Sequence, residues 1–198
     1  MKKLIALVLV ALMVLGMVAC GGNTATTPST TTGTNNDATA MTAEEMEAAK
    51  AEIRNALGLL YDRNYIVEKI AQGGQTPAAS FVADGMADAN GGNFAMNAGE
   101  GNGKGYYSVA AADFEDNFAK AIEVLKKYYT YDEATGKFTN FPTLTYLYNT
   151  SEAHKAIGEY LASALDAVGI TMNLENQEWN TFLNTRKNGD YSVARNGW

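Results

Sequence analysis

From Pro142 to Trp198 the chain switches back and forth between strand-like and helix-like hydrophobic periods, and few folds accommodate that alternation. Thr143-Leu144-Thr145-Tyr146-Leu147-Tyr148 is β-branched and aromatic, roughly alternating, and opened by a proline, so it predicts a strand. Asn149, Thr150 and Ser151 supply N-cap side chains, and Glu152 falls in the first turn, where the helix dipole favours a carboxylate. Ile157, Leu161, Leu165 and Val168 recur at steps of four, four and three residues, which makes one apolar helical face. Gly169 follows, where a left-handed C-terminal cap belongs. Ile170 to Leu174 predicts a second strand. Gln177 to Lys187 predicts a short helix that buries Trp179, Phe182 and Leu183 and stops at Asn188-Gly189. Tyr191 to Arg195 predicts a third strand. Strands alternating with helices pair in parallel through right-handed crossovers, so the expected class is α/β with a strand-helix-strand-helix-strand core.

The first twenty residues carry a different signal. Lys2 and Lys3 form a basic n-region, and Leu4 to Val18 is almost wholly apolar and lacks any acid. Met17-Val18-Ala19-Cys20 has the form of a bacterial lipobox, which implies a signal peptide over residues 1–19 and diacylglycerol on the Cys20 sulfur. An uncleaved anchor helix is the alternative, and both readings put the remainder outside the cytoplasmic membrane. Cys20 is the one cysteine, so no intramolecular disulfide is available and the fold must rest on its core. A diacyl pair anchors durably. Residues 20–41 are then a lipidated tether, because the Thr-, Asn- and Gly-rich run has too few apolar residues to offset its ordering entropy. As a coil it would reach on the order of 25 Å.

The domain is expected over residues 42–198. Thr42-Ala43-Glu44-Glu45 has the form of a capping box, followed by Met46, Ala49, Ile53, Leu57 and Leu60 on one helical face. Asp62 is placed to cap a second helix that buries Tyr65, Ile66 and Ile70 and stops at Gly73-Gly74. Ala83 to Gly105 reads as a surface loop in which two motifs fail. The run Gly99 to Gly105 lacks the first glycine and the Ser/Thr of a phosphate loop, and Asp88-Ala89-Asn90-Gly91 lacks the flanking ligands of a calcium loop. Asp113 to Tyr129 predicts an amphipathic helix with Phe114, Phe118, Ile122, Leu125 and Tyr129 on one face. Asp113, Glu115 and Asp116 complement the dipole of its first turn. Tyr131 to Lys137 reads as a turn.

Chemistry narrows the function classes. A net charge of −7 disfavours nucleic-acid binding, which needs a basic surface to displace counterions. One histidine, one cysteine assigned to lipid and no Ser-His-Asp or metal-ligand cluster leave nucleophilic and metal catalysis without parts. No enzyme, cofactor or metal is expected.

Several ordered blocks resemble one family. Tyr148-Asn149-Thr150-Ser151-Glu152-Ala153-His154-Lys155, Asn176-Gln177-Glu178-Trp179, Phe182-Leu183-Asn184-Thr185-Arg186 and Val193-Ala194-Arg195-Asn196-Gly197-Trp198 are similar to consecutive blocks of the bacterial oligopeptide-binding proteins. These are the family 5 solute-binding receptors of peptide ABC importers. Ala56-Leu57, Tyr61 to Val67 and Gly73 to Ala78 resemble the preceding helices and loop, so the likeness runs from about Arg54 to Trp198. It implies part of a type II periplasmic-binding-protein-like lobe, with short peptides and ABC permease subunits as partners and the membrane reached through the lipid on Cys20. It places His154, Arg186 and Arg195 near the peptide's C-terminal carboxylate. Chemistry agrees, since a guanidinium is permanently charged and holds a carboxylate bidentately. Other readings compete: Arg195 as surface charge, Arg186 as the cation a helix C-terminus attracts, His154 as a first-turn surface or packing residue. Family members are usually longer and continue past the position of Trp198, so a partial receptor is expected. A tethered surface lipoprotein without ligand capture is the alternative.

Overall fold

The computed structural model describes residues 41–97 and 105–197. The leader, Cys20, the tether, Trp198 and most of the failed phosphate-loop run lie outside the described residues. Among the described residues no helix is long and apolar enough to cross a membrane.

Helix α1 spans Ala43–Leu57 and starts at the expected capping box: Thr42 Oγ1 accepts from the Glu45 amide at 3.2 Å, and Glu45 Oε2 accepts from the Thr42 amide at 2.8 Å. Its apolar stripe buries Ala49, Ile53 and Ala56, and Leu60 just beyond is 1% exposed. Asp62 caps the next helix through the Asn64 amide at 2.8 Å, but that helix (α2, Arg63–Tyr65) passes at once into a π-helical turn, Ile66–Ala71. Tyr65 is exposed and Ile66 and Ile70 only half-buried, contrary to the burial expected from spacing. Tyr65 stacks instead on Tyr160, centroid to centroid 4.6 Å.

The 83–105 stretch holds more structure than a bare loop, with a bridge between Ala87 and Asn93 and a short helix α3, Phe94–Asn97. Asp88 accepts from the Asn90 and Gly92 amides and from Asn97 Nδ2, so a turn consumes its oxygens. Helix α4, Phe114–Leu125, is preceded by a 3₁₀ turn at Ala111–Asp113 and carries Glu115 and Asp116 in its first turn, as the dipole favours. A two-stranded hairpin follows, β1 Tyr131–Asp132 against β2 Lys137–Phe138.

The closing unit is the expected α/β alternation: β3 Leu144–Asn149, α5 Glu152–Asp166, β4 Met172–Gln177, α6 Trp179–Asn188 and β5 Val193–Ala194. The sheet order is β4-β3-β5, all parallel, with Tyr146 opposite Leu174 and Val193. One sheet face presents Tyr146, Tyr148 and Met172 to the main core, built with Leu165 of α5, Ile53 and Leu60 at α1, and Ile122 and Leu125 of α4. Strand alternation turns Leu147 to the opposite face. There it is fully buried, as is Phe182 of α6, and neither belongs to the main cluster.

Four details depart from the periodicity. Strand β4 runs later than expected, because Ile170 is buried in the turn after Gly169 and the polar Glu175, Asn176 and Gln177 continue the ladder with β3. Strand β5 is short, because Ser192 Oγ, not a backbone carbonyl, accepts from the Thr145 amide at 3.1 Å. Ser151 stands at the N-cap of α5 without a side-chain cap bond. Trp179 is 48% exposed, since the short α6 rests on the sheet through Phe182 and its first turn lies over that ring, 5.8 Å between centroids.

Candidate functional site

Two of the three polar residues picked from the sequence, His154 and Arg195, sit at the C-terminal ends of the parallel strands, and Arg186 is tied to that edge through Asn196. Open α/β sheets leave their ligand crevices at that edge. Arg195 follows β5 directly, and its amide donates to the Leu147 carbonyl at 2.9 Å, which docks it beside the central strand. His154 lies in the first turn of α5 with Nδ1 3.3 Å from the Asn149 carbonyl oxygen. A carbonyl can only accept, so Nδ1 carries the hydrogen and Nε2 is left for another partner. Arg186 occupies the last turn of α6; its Nη1 donates to Asn196 Oδ1 at 2.6 Å, and its guanidinium lies 5.1 Å from the Phe182 ring centroid.

His154 and Arg195 line one open depression of about 560 Å³. Its apolar wall comes from Ile157 and Leu161 of α5 and from Val193, and Tyr61, Gln75, Tyr146 and Asn196 also line it. Arg186 does not line it. Its link to the site runs through Asn196, the residue next to Arg195. Among the described residues neither Arg186 nor Arg195 forms an ion pair. Arg195 is half-buried, so it keeps a permanent charge partly out of water with no carboxylate of its own. That arrangement suits an incoming anion. Among the described residues no group of side chains could hold a metal ion.

Sequence reasoning missed three lining residues. Tyr61 and Gln75 come from the α2 region, far away in the chain, and only packing of α5 against α2 brings them here. The anchor is Tyr160, whose hydroxyl accepts from the Asp62 amide at 3.0 Å and donates to the Asp62 carbonyl at 3.3 Å. Tyr146 was legible as a strand residue, but alternation marks a position as inward-facing without saying whether it meets the core or a cleft.

Burial raises the Tyr146 hydroxyl to about 12, with Arg195 pulling in the other direction. Tyr128 also reaches about 12, through burial and then its bond to Glu52, and Tyr107, Tyr129 and Tyr160 are raised chiefly by burial. The fold therefore favours the neutral phenols. Their contribution is whole below the unfolded value of about 10 and is lost as pH rises from there toward 12. Phenolate absorbance should show these five tyrosines titrating late, with stability falling steeply above pH ~10. A single step near pH ~10 for all eleven tyrosines would contradict this.

Comparison with known proteins follows the same lines. The profile of the bacterial extracellular solute-binding proteins, family 5 Middle, matches residues 21–198. The periplasmic oligopeptide-binding protein OppA of Salmonella typhimurium is 36% identical over 149 residues, 74% of this chain and 24% of that protein. Among solved structures, the Escherichia coli murein tripeptide binding protein MppA matches with a TM-score of 0.56 at 27% identity, over 74% of this chain and 25% of that one. Haemophilus influenzae OppA, solved in complex with RPPGFSPFR, matches with a TM-score of 0.54 at 29% identity, over 74% of this chain and 26% of that one. The chain thus spans about a quarter of the length of these relatives. A profile match across nearly the whole sequence and a parallel sheet of the same fold agree: the chain belongs to the bacterial extracellular solute-binding proteins, family 5.

Proposed function

We propose that this chain is part of the lipid-anchored, extracytoplasmic substrate-binding component of a peptide ABC importer, and that it meets the peptide through its terminal carboxylate. The observation that carries the reading is Arg195: half-buried at the C-terminal edge of the sheet, lining an open depression, and without an ion-pair partner among the described residues. A receptor that accepts many sequences must grip what all peptides share, namely the ends and the backbone. A guanidinium grips a carboxylate through two parallel N–H donors. Arg186, held by Asn196, adds positive charge near it, and His154, which lines the same depression, offers Nε2. The lipid on Cys20 and the tether that follows rest on the lipobox and composition alone.

Calorimetry or ligand-observed NMR on the full chain in detergent tests the reading with tri-alanine as the free acid and as the C-terminal amide. One lobe supplies one wall of a cleft, so the acid is expected to bind weakly, with Kd on the order of 1 mM, and the amide not measurably. Equal behaviour of acid and amide would remove the carboxylate from the account. Micromolar binding would show that this segment needs no second wall.

A further inference from the structure

The depression contains a polar group that capture by Arg195 leaves unused. Tyr146 stands on the central strand with its side chain only 5% exposed. Tyr148 stacks on one side, 5.8 Å between centroids, and α5 closes on the ring at Gly158, where even a Cβ would come within 3.1 Å of it. Such a ring cannot turn away. Its hydroxyl makes no hydrogen bond among the described residues, yet it is not one of the fully enclosed orphan atoms, which are Asn149 Oδ1 and Gln177 Oε1. The hydroxyl therefore opens onto the depression, where Arg195 is the charged group that acts on it. Buried hydroxyls are normally paired, and phenylalanine would fill the same space without leaving a donor idle. A carboxylate has room for about four hydrogen bonds, of which an arginine fork supplies two. A phenol kept neutral by burial supplies a third as a donor, and it adds no charge beside the guanidinium.

We propose that Tyr146 is a further ligand-contacting residue, its hydroxyl donating a hydrogen bond to the carboxylate held by Arg195. The proposal rests on the carboxylate reading above, and two probes separate them: acetate for the anion alone, and tri-alanine as acid and amide for the peptide.

The full chain in detergent is titrated with each probe, following the Tyr146 ring resonances by NMR. Acetate and the tri-alanine acid are expected to shift those resonances saturably, and the amide to leave them in place. Tyr146→Phe should weaken both acids about tenfold while leaving thermal stability unchanged. Acetate shifts without any peptide effect would keep the Tyr146 assignment and overturn peptide capture. Equal binding of the acids by Tyr146→Phe would keep peptide capture and overturn the Tyr146 assignment. Resonances unmoved by any probe would overturn both, whether or not the variant folds.

Discussion

Gly169→Ala is expected to lower stability by about 3 kcal/mol in urea denaturation, a large share of what a domain of this size possesses. Gly169 closes α5 with φ +79, and a Cβ there would collide with the Phe138 carbonyl oxygen and lie 2.9 Å from Lys137 Cβ. The hairpin strand β2 is docked at this point, through the Phe138 amide and the Val168 carbonyl at 2.8 Å. A methyl group must therefore strain the helix cap or lift the hairpin away from the core. Gly189, which closes α6 with φ +82 and has nothing within 4 Å of its built Cβ, is the matched control. Gly189→Ala incurs the left-handed conformational term alone, about 1 kcal/mol. The difference between the two variants isolates the crowding at Phe138, and equal losses would show that no such crowding exists.

Arg195→Ala is expected to cost at least tenfold in affinity for a peptide acid, which amounts to about 1.4 kcal/mol or more. Arg195→Lys should recover part of that loss, because an ammonium keeps the charge but not the planar fork. Arg186→Ala should cost less, since Arg186 reaches the depression only through Asn196. Titration of the three variants with the tri-alanine acid ranks them. An Arg195→Ala chain that binds as the parent does would mark that arginine as surface charge, the alternative its position allowed from the start.

Much of the fold was readable because its signals are local. The Thr42–Glu45 box, the apolar stripe of α1, the α4 stripe and the glycine that ends α5 depend on residues a few positions apart, and each lies where expected, except that α4 ends at Leu125 and leaves Tyr129 beyond it. Errors arose where partners are distant. The expected burial of Trp179 overlooked that α6 is short: Phe182 is its one buried residue, while Leu183 is half-buried and Trp179 exposed. On the second helix the Asp62 cap lies where expected, but Tyr65 is exposed and stacks on the distant Tyr160 instead of entering the core. For the site, guanidinium chemistry was enough to single out Arg195 and Arg186, but not to tell which of them faces the depression.

The sequence alone determined the class of the fold, since hydrophobic period and caps are properties of neighbouring residues, and ordered blocks of residues sufficed to point to the family. Only the tertiary structure decided which side chains meet. Parallel pairing of β3 with β5 sets Arg195 beside Tyr146, and the Tyr160–Asp62 hydrogen bonds hold Tyr61 against the same hollow. Those juxtapositions join residues some fifty to a hundred positions apart, through contacts whose geometry no local pattern encodes.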